Sequence, residues 1–533
     1  MEPLGSRRIK VGLIGLQDHG LTERSIALDI LASLVMQSGH RLEYVMDASF
    51  DPMEDILGRI QVSNQLDLLV ISMRPESATL IHQLRKALYD QGQAGVSRPF
   101  LALGGQAAQC APDLLQEILP DALVFTQEAE AVFPGVLEVL SAPPDGGHEA
   151  IMQEIEQLSS KPFFQKPVQL STERAIGAGG TVWVEFSRGC RLSCAFCALS
   201  NGKVSSDWRM RQCDELFDEL QYIIEHWGVS TFSLADYSAF ETEDSIKAFL
   251  NARLERNLSM SLRCDLRLGT AQRMKRYLPD LRRAGLRQVF VGIESVVPEE
   301  QRVYGKPHSD YDIIRYMESI GIRVVGGFIT LQPLATKEQL YQQVLGLKKH
   351  GILGILSTPL KTIRVYRGTR YEELCRSRGI LGELNPDLLT YQYQCVDPYV
   401  DVVRQVIQFF DTTLKKVYFN NYVENMLRLT EPENLPEGIE VLSDICRRVQ
   451  ETDYWLLYEL ATSMLSARTI RQAREKAFET GRRFNKMRRV LYQSMAEDYE
   501  SLLGAGFPYY REDLQAFIAK HDSIEEFHPE AIE

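Results

Sequence analysis

Residues 187–197 read Ser-Arg-Gly-Cys-Arg-Leu-Ser-Cys-Ala-Phe-Cys. Cys190, Cys194 and Cys197 are separated by three and then two residues, a spacing at which one loop can wrap three thiolates around a cube of iron and sulfide. Electron-transfer cubanes normally have four cysteine ligands, and the sequence offers no fourth cysteine close to this loop. The spacing therefore predicts a [4Fe–4S] cluster with one iron open, and an open iron can bind a substrate.

Two other interpretations of the three cysteines stay open, a zinc knuckle and a set of structural thiols. A structural zinc site takes four ligands. No histidine lies between His148 and His226, so a compact site of three cysteines and one histidine is not evident, although a distant residue can complete one.

The cysteine pattern resembles the radical S-adenosylmethionine (SAM) superfamily, with Phe196 in that superfamily's aromatic position. The resemblance implies that the open iron chelates the amino and carboxylate groups of SAM. It also implies that an electron from the reduced cluster splits the sulfonium to give a 5′-deoxyadenosyl radical. Cys190, Cys194 and Cys197 are then both the metal ligands and the catalytic residues, and a reductant such as flavodoxin or ferredoxin is an expected partner.

Length and composition describe an ordinary soluble protein of two or three domains, with 533 residues, 44% of them apolar and 25% charged. Nine cysteines in so long a chain do not form a disulfide framework, so we expect a reducing, cytoplasmic location. No secretory signal and no apolar stretch of membrane-spanning length is evident.

Charge bears on the expected partners. The net charge of −13 disfavours a general affinity for nucleic acid. The basic stretch 468–489 contains Glu475 and Glu479 and no run of aromatics, which favours a solvated helix face. The expected partner besides the reductant is a small-molecule or peptide substrate.

Residues 1–145 alternate between apolar runs and helical patterns and predict a doubly wound, Rossmann-like parallel sheet. The predicted strands cover 9–16, 41–46, 66–72, 100–103 and 122–125, and the predicted helices cover 23–37, 53–62, 78–89, 112–118 and 129–140. Sheets of this kind bind ligands at the carboxyl ends of their strands.

Landmarks in this region resemble the cobalamin-binding domain that precedes many radical SAM cores. The resemblance assigns cofactor contacts to the ends of the third and fourth strands and to the start of the last helix, at Ser72, Gly104, Gly105 and Glu130. A pair of glycines lets the backbone approach a bulky flat ligand. An ordinary tight turn is the alternative interpretation of the glycines.

One cobalamin motif is missing. Proteins that replace the cofactor's own base with a histidine use D-x-H-x-x-G, whereas this chain has Asp18-His19-Gly20. We therefore interpret His19 as a loop or surface histidine and expect cobalamin with its lower face free of histidine. A degenerate domain that has lost the cofactor is the alternative.

Residues 180–375 alternate between strands and helices again, after a predicted linker at 146–179. The predicted strand 181–186 is followed at its carboxyl end by the loop that carries Cys190, Cys194 and Cys197, here called the cluster loop. Active sites of α/β barrels lie at this end of the strands. The order of elements indicates the partial (β/α)6, TIM-like barrel of the superfamily. Resemblance to that core assigns the SAM contacts, besides Phe196, to residues that follow the next strands: Asp236, Arg263, Asp265, Glu294 and Ser295.

Two later segments complete the resemblance. Residues 325–330 resemble the strand that lies along the adenine of SAM, and residues 366–369 resemble the turn after the last strand, where Arg367 replaces the usual proline. Arg367 is either a contact for a substrate carboxylate or phosphate, or a plain surface arginine.

Residues 376–533 are predicted to form a helical C-terminal domain that caps the barrel, without the small β module of tRNA-methylthiolating relatives. The predicted helices cover 403–417, 421–429, 438–451, 454–465 and 468–500.

The favoured function is methyl transfer to an unactivated carbon of a biosynthetic intermediate, with the [4Fe–4S] cluster, SAM and cobalamin as cofactors. Such a carbon has no acidic proton, so a radical must remove hydrogen before methylcobalamin can deliver a methyl group. One alternative is a radical SAM cyclase or rearrangement enzyme acting on a tetrapyrrole or natural product without methyl transfer. A non-catalytic cobalamin sensor is a third possibility, against which the intact cysteine triad argues.

Overall fold

A computed structural model of the chain describes residues 7–16, 26–48, 51–62, 66–74, 79–89, 98–156, 158, 181–199, 208–306, 310–356, 359–385, 389–414 and 439–504. Within these ranges the structure consists of an N-terminal α/β domain, a central α/β domain and a C-terminal group of helices.

The N-terminal domain is built on a five-stranded parallel sheet in the order β2-β1-β3-β4-β5. Its strands are β1 (Lys10–Leu16), β2 (Arg41–Asp47), β3 (Leu68–Met73), β4 (Phe100–Gly104) and β5 (Ala122–Val124). Six of the seven residues of β1 are buried, because helices cover both faces of a parallel sheet. In this strand order, the reversal between β1 and β3 opens a crevice at the carboxyl ends.

In the described part of this domain, seven helices pack around the sheet: α1 (Ile26–Gln37), α2 (Met53–Val62), α3 (Thr79–Tyr89), α4 (Gln106–Cys110), α5 (Pro112–Ile118), α6 (Phe133–Ser141) and α7 (Gly147–Glu156). Helix α6 begins four residues later than predicted. Helix α7 lies in the range predicted as linker, and its Ile151 and Ile155 pack on the N-terminal core.

The central domain contains β6 (Thr181–Val184), β7 (Ser187–Arg188), β8 (Arg209–Met210), β9 (Thr231–Leu234), β10 (Ser261–Asp265), β11 (Leu286–Glu294) and β12 (Arg323–Phe328). Five of them form a parallel sheet in the order β12-β11-β10-β9-β6. A sixth position beside β12 is marked by a parallel bridge between Leu331 and Thr362. This sequential order confirms the predicted partial barrel.

Helices alternate with these strands: α8 (Cys213–Trp227), α9 (Glu243–Arg256), α10 (Leu268–Arg273), α11 (Leu278–Arg283), α12 (Pro298–Tyr304), α13 (Asp312–Ser319), α14 (Lys337–Lys349) and α15 (Arg370–Ser377). Short 3-10 turns cover Lys275–Tyr277 and Leu353–Ile355. Capping boxes begin α9 at Thr242 and α14 at Thr336, which satisfies amides that the helices themselves leave open.

A small antiparallel sheet follows the barrel, in the order β13-β15-β14. It consists of β13 (Val365–Tyr366), β14 (Leu381–Asn385) and β15 (Thr390–Tyr393). The helical interpretation of residues 376–533 did not include β14 and β15. Tyr391 and Tyr393 are good strand formers, and the pairing of Tyr391 with Val365 joins this segment to the barrel across the predicted boundary at 375.

The C-terminal helices are α16 (Pro398–Leu414), α17 (Ile439–Ser466) and α18 (Ile470–Gly504). The predicted break between 451 and 454 is wrong, because α17 runs through it. Asp453 forms an ion pair there with Arg488 of α18. The Thr452 hydroxyl donates a hydrogen bond to the Arg448 carbonyl at 2.7 Å. The predicted helix 421–429 lies outside the described residues.

The predicted fold class is confirmed: a doubly wound N-terminal domain, a partial barrel and a helical C-terminal region. None of the described helices combines the length and the apolar character that a membrane crossing requires.

Candidate active site

The cluster loop leaves the barrel at the carboxyl end of β6 and begins at Gly189. This glycine has φ +88°, in the left-handed region that favours glycine. The loop is then held from both sides: the Ala195 amide donates to the Tyr304 carbonyl at 2.9 Å, and the Tyr371 amide donates to the Ala195 carbonyl at 2.9 Å. The middle of the loop is therefore fixed by α12 and α15.

Phe196 supports the loop by packing. Its ring meets that of Tyr304 edge to face, with centroids 5.3 Å apart, and Tyr304 is fully buried. The Cys197 amide donates to the Cys194 carbonyl at 3.1 Å, which closes a tight turn between two of the cysteines.

The Cys194 thiol lies in a charged environment. Burial raises the pKa of Cys194 to about 11, the Lys306 ammonium opposes that shift, and Cys197, Glu294 and Cys190 add to it. Metal ligation needs the thiolate. Lys306 is therefore the cation that favours the ligating form of Cys194.

Lys306 makes an ion pair with Glu294 at the end of β11. Its Nζ lies 2.6 Å from Glu294 Oε1 and 3.2 Å from the Gly292 carbonyl oxygen. Glu294 has φ +64°, a conformation that costs free energy in a residue with a side chain and that clusters at functional sites. A Cβ on Gly292 would lie 2.4 Å from Glu294 Oε1 and 2.7 Å from Lys306 Nζ, so the ends of both side chains pass close to the backbone at 292.

Asp236 follows β9 and is 3% exposed. Its carboxylate accepts from the Phe186 amide at 3.0 Å and from the Ser187 hydroxyl. Burial raises the pKa of Asp236 to about 7, although these hydrogen bonds oppose the shift. Asp236 is thus hydrogen-bonded to Phe186 and Ser187, the residues that lead from β6 into the cluster loop.

Arg263 and Asp265 lie on β10 and are half-buried, alternating with the buried Leu262 and Cys264 that pack in the core. The Arg263 guanidinium carbon is 6.0 Å from the centroid of the Trp183 ring on β6. Burial raises the pKa of Asp265 to about 6, and Arg263 opposes the shift. Both residues lie on the sheet face that points away from the packed helices.

Ser295, which was predicted to contact SAM, is hydrogen-bonded within the protein. It is fully buried, and its hydroxyl lies 2.8 Å from Glu300 Oε2 and 2.9 Å from Gln343 Oε1. It also accepts from the Val297 amide at 2.9 Å, close to the start of α12. The side chain of Ser295 therefore organises a buried polar network.

The carboxyl edge of the N-terminal sheet brings Ser72 and Gly104 together as paired residues of β3 and β4. A Cβ on Gly104 would meet nothing within 4 Å, whereas one on Gly105 would lie 2.5 Å from the Met73 carbonyl oxygen. Gly105 also has φ +86°. The edge is therefore open at Gly104, and its turn requires glycine at 105, which fits a bulky flat ligand against the backbone. His19 lies outside the described residues.

Glu130 does not open α6 but lies before it and pairs with Arg188 at 2.7 Å. Arg188 also makes two bonds to Glu185, at 2.6 and 2.9 Å, and one to Glu128, at 3.2 Å. Glu128 pairs in addition with Arg209. These five residues, here called the Arg188 network, join the N-terminal domain to the base of the cluster loop.

A second contact between the two domains lies close by. The Gln106 side-chain amide donates to the Tyr237 hydroxyl at 3.2 Å. Gln106 follows the glycine pair, and Tyr237 follows Asp236. Burial raises the pKa of the Tyr237 phenol, with Arg74 and Cys197 among its charged neighbours, yet its side chain is 41% exposed. Tyr237 therefore stays accessible to solvent at the contact between the two domains.

Arg367 contacts the N-terminal domain, with Nη2 3.3 Å from Asp113 Oδ2. Its own amide donates to the Leu389 carbonyl at 3.1 Å. In the segment predicted to lie along adenine, a Cβ on Gly327 would lie 2.7 Å from the Phe290 ring, so the backbone there is close to its neighbouring strand.

Sequence reasoning missed Lys306, Glu128, Arg188 and Tyr237. Arg188 carried a usable signal, because it is a charged residue inside the cluster motif that directly follows a buried strand. Lys306 and Glu128 carried none, since each acquires its role through a contact made only in the folded chain. Among the described residues, no three His, Cys, Asp or Glu side chains converge on a single metal ion; each cysteine of a cubane binds a different iron.

A model of the Radical SAM superfamily matches residues 184–342, which include the cluster loop, β9 to β12 and Lys306. Two curated relatives are anaerobic magnesium-protoporphyrin IX monomethyl ester cyclases. That of Rubrivivax gelatinosus is 30% identical over 110 residues, 21% of this chain and 20% of that protein. That of Synechocystis is 23% identical over 233 residues, 43% of this chain and 45% of that protein. The matches thus span less than half of these relatives.

Solved structures match over more of the chain. The cobalamin-dependent SAM radical enzyme OxsB with aqua-cobalamin bound has a TM-score of 0.71 at 14% identity, covering 97% of this chain and 84% of that one. The radical SAM methyltransferase TsrM of Kitasatospora setae, with cobalamin and a [4Fe–4S] cluster bound, has a TM-score of 0.51 at 15% identity, covering 65% of this chain and 74% of that one.

The central domain of the chain is therefore a radical SAM domain. Over nearly its whole length the chain has the fold of OxsB.

Proposed function

We propose that this protein is a cobalamin-dependent radical SAM enzyme that transfers a methyl group to an unactivated carbon of a biosynthetic intermediate. The observation that carries the proposal is the contact between the two expected cofactor edges. On the N-terminal edge that fits a flat ligand, Glu128 contacts Arg188 at the base of the cluster loop, and Gln106 contacts Tyr237, which follows β9. Cofactors held by these two groups of residues would lie on neighbouring parts of the two domains.

The residues of the central domain suit an iron–sulfur cluster and SAM. Cys190, Cys194 and Cys197 would each bind one iron and leave the fourth open. Glu294 and Lys306 present opposite charges beside Cys194, which complements the ammonium and carboxylate of the amino-acid end of SAM. Phe196 holds the loop that orients this end.

The N-terminal residues suit cobalamin. Ser72 and Gly104 lie side by side at the open edge, and Gly105 lets the chain turn beneath it. When bound, the cluster and SAM supply a radical that removes hydrogen from an unactivated carbon, and cobalamin supplies the methyl group. Tyr237 lies at the contact between the two domains, where its hydroxyl accepts a hydrogen bond from Gln106.

Methyl transfer is supported by the fold shared with TsrM, which is a methyltransferase. A second candidate is ring closure without methyl transfer, and it is favoured by the curated relatives, which are cyclases of a magnesium porphyrin ester. Both reactions begin with removal of a hydrogen atom, so they differ only in the fate of the carbon radical.

One assay separates the candidates. The protein, reconstituted without oxygen with iron, sulfide and hydroxocobalamin, is incubated with reductant, SAM carrying a deuterated methyl group and candidate substrates that include magnesium-protoporphyrin IX monomethyl ester. Methyl transfer gives a product that carries the deuterated methyl group. A product that lacks the label and has lost hydrogen indicates cyclisation and contradicts methyl transfer.

A further inference from the structure

The cluster loop has two stems, and each carries an arginine. Arg188 in β7 and Arg209 in β8 are paired residues of an antiparallel two-stranded ribbon, and Cys190, Cys194 and Cys197 all lie between them in the chain. Like charges placed directly opposite each other destabilise such a pair of strands. A negative charge between the two guanidinium groups therefore stabilises the closed base of the loop.

Glu128 supplies that charge from the N-terminal domain. Its Oε2 lies 3.2 Å from Arg188 Nη1, and its Oε1 accepts from Arg209 Nη2. The Glu128 carboxylate thus binds both stems, with one oxygen on each arginine. The side chains are 23%, 11% and 22% exposed for Glu128, Arg188 and Arg209, so water screens these contacts less than it screens surface ion pairs.

Glu128 also lies at the edge of the sheet to which cobalamin binding is assigned. It follows β5, whose carboxyl end lies at the same edge as Gly104 of β4. We infer that Glu128 is a positioning residue that couples the two cofactor sites, because it transmits order at the N-terminal edge to the stems of the cluster loop. The inference rests on the proposed cluster and cobalamin sites.

Coupling of this kind is reciprocal. Cobalamin bound at the N-terminal edge would hold the 127–130 segment in place, and through Glu128 it would hold Arg188 and Arg209 together. The three cysteines then retain their iron for longer. Loss of the carboxylate leaves the two arginines facing each other and removes the link between the domains at this point. Arg188 retains Glu185 and Glu130, so the loop loosens without unfolding.

The test measures loss of iron to a chelator from reconstituted, full-length holoenzyme, with and without hydroxocobalamin, in wild type and in Glu128→Gln. We expect cobalamin to slow iron loss from the wild type. We expect Glu128→Gln to lose iron at least about fivefold faster than the wild type and to show no effect of cobalamin. Glu117→Gln, an exposed change in α5 of the same domain, is the matched control and behaves as wild type.

A double-mutant cycle separates positioning from general destabilisation. In the Glu128→Gln background, Arg209→Gln removes one of the two facing like charges and therefore does not raise the rate of iron loss further, whereas two independent defects multiply. Glu128→Gln that keeps iron at the wild-type rate and retains the cobalamin effect overturns the inference and leaves the proposed function intact. Wild-type protein that holds no cluster overturns both.

Discussion

Lys306 Nζ lies 2.6 Å from Glu294 Oε1, and the two side chains are only 16% and 13% exposed. The pair adjoins the cluster loop, since the Tyr304 carbonyl, two residues before Lys306, accepts from the Ala195 amide. Burial alone would lower the pKa of Lys306, but Glu294 and the thiols of Cys194 and Cys190 raise it. A lysine in this place stays charged and stabilises the anions around it.

Lys306→Met tests this pair. The change leaves a buried Glu294 carboxylate without its cation, which costs about 2–4 kcal/mol of unfolding free energy. Urea unfolding of the apo-protein measures the loss. Lys247→Met is the control, because Lys247 is 54% exposed and 3.5 Å from Glu243, so its removal costs less than about 1 kcal/mol. Equal losses in the two variants would contradict the assigned importance of the pair.

Cys194→Ala is expected to abolish cluster binding and SAM cleavage, because a cubane held by two thiolates lacks a required ligand. Iron content and formation of 5′-deoxyadenosine under dithionite report the two effects, while binding of hydroxocobalamin shows that the N-terminal domain is folded. Cys213→Ala removes a buried thiol outside the cluster motif and should retain iron. SAM cleavage by Cys194→Ala would refute the role of the cysteine.

The glycine pair provides a prediction for cobalamin. Gly104→Ala introduces a methyl group into open space, so the protein keeps its stability but binds hydroxocobalamin more weakly, because the methyl group occupies the proposed ligand surface. Gly105→Ala instead strains a residue at φ +86° and brings its Cβ to 2.5 Å from the Met73 carbonyl, so stability itself falls by about 1–3 kcal/mol. Thermal unfolding and the cobalamin absorption spectrum separate the two. Gly104→Ala with wild-type affinity would place the cofactor elsewhere.

Asp236 predicts how stability depends on pH. Burial raises the pKa of Asp236 from 3.8 to about 7, so between about pH 4 and pH 7 the folded protein holds a proton that the unfolded chain releases. Its contribution to stability therefore falls as pH rises through this interval, by an amount on the order of 2–4 kcal/mol, and is constant above it.

The measurement for Asp236 compares urea unfolding of the apo-protein from pH 5 to pH 8 in wild type and Asp236→Asn. The wild type should lose stability relative to the variant as pH rises. Asp218→Asn, a change in a residue whose side chain is 62% exposed, should follow the wild type. A difference between wild type and Asp236→Asn that does not change with pH would show that Asp236 is ionised throughout.

The barrel and the doubly wound sheet could be predicted from sequence because their strands are short apolar runs at regular intervals. Strands β1, β3 and β4 begin and end within two residues of the predicted ranges. The cluster loop could be placed because it directly follows such a strand. Helix α17 was divided in the prediction because polar residues near Asp453 resemble a helix end, whereas a partner on α18 satisfies that aspartate.

Contacts between distant segments could not be predicted in the same way. Glu294 and Lys306 meet across eleven intervening residues only because β11 ends in a left-handed residue and α12 returns the chain to it. Glu128 and Glu130 are acidic residues of the kind that favours the first turn of a helix. In the folded chain, both carboxylates instead form ion pairs with Arg188 of the central domain. Ser295 follows β11, where the sequence predicted a contact with SAM. In the packed structure its side chain is buried in the polar network beside α12, which the sequence does not indicate.

The open iron is tested most directly by electron–nuclear double resonance on the reduced, anaerobically reconstituted protein with SAM labelled with nitrogen-15 and oxygen-17 at its amino and carboxylate groups. The account predicts hyperfine coupling from both labels to the cluster, as expected when SAM chelates an iron that Cys190, Cys194 and Cys197 leave open. A cluster that shows no coupling to either label, with a protein ligand at all four irons, would contradict it.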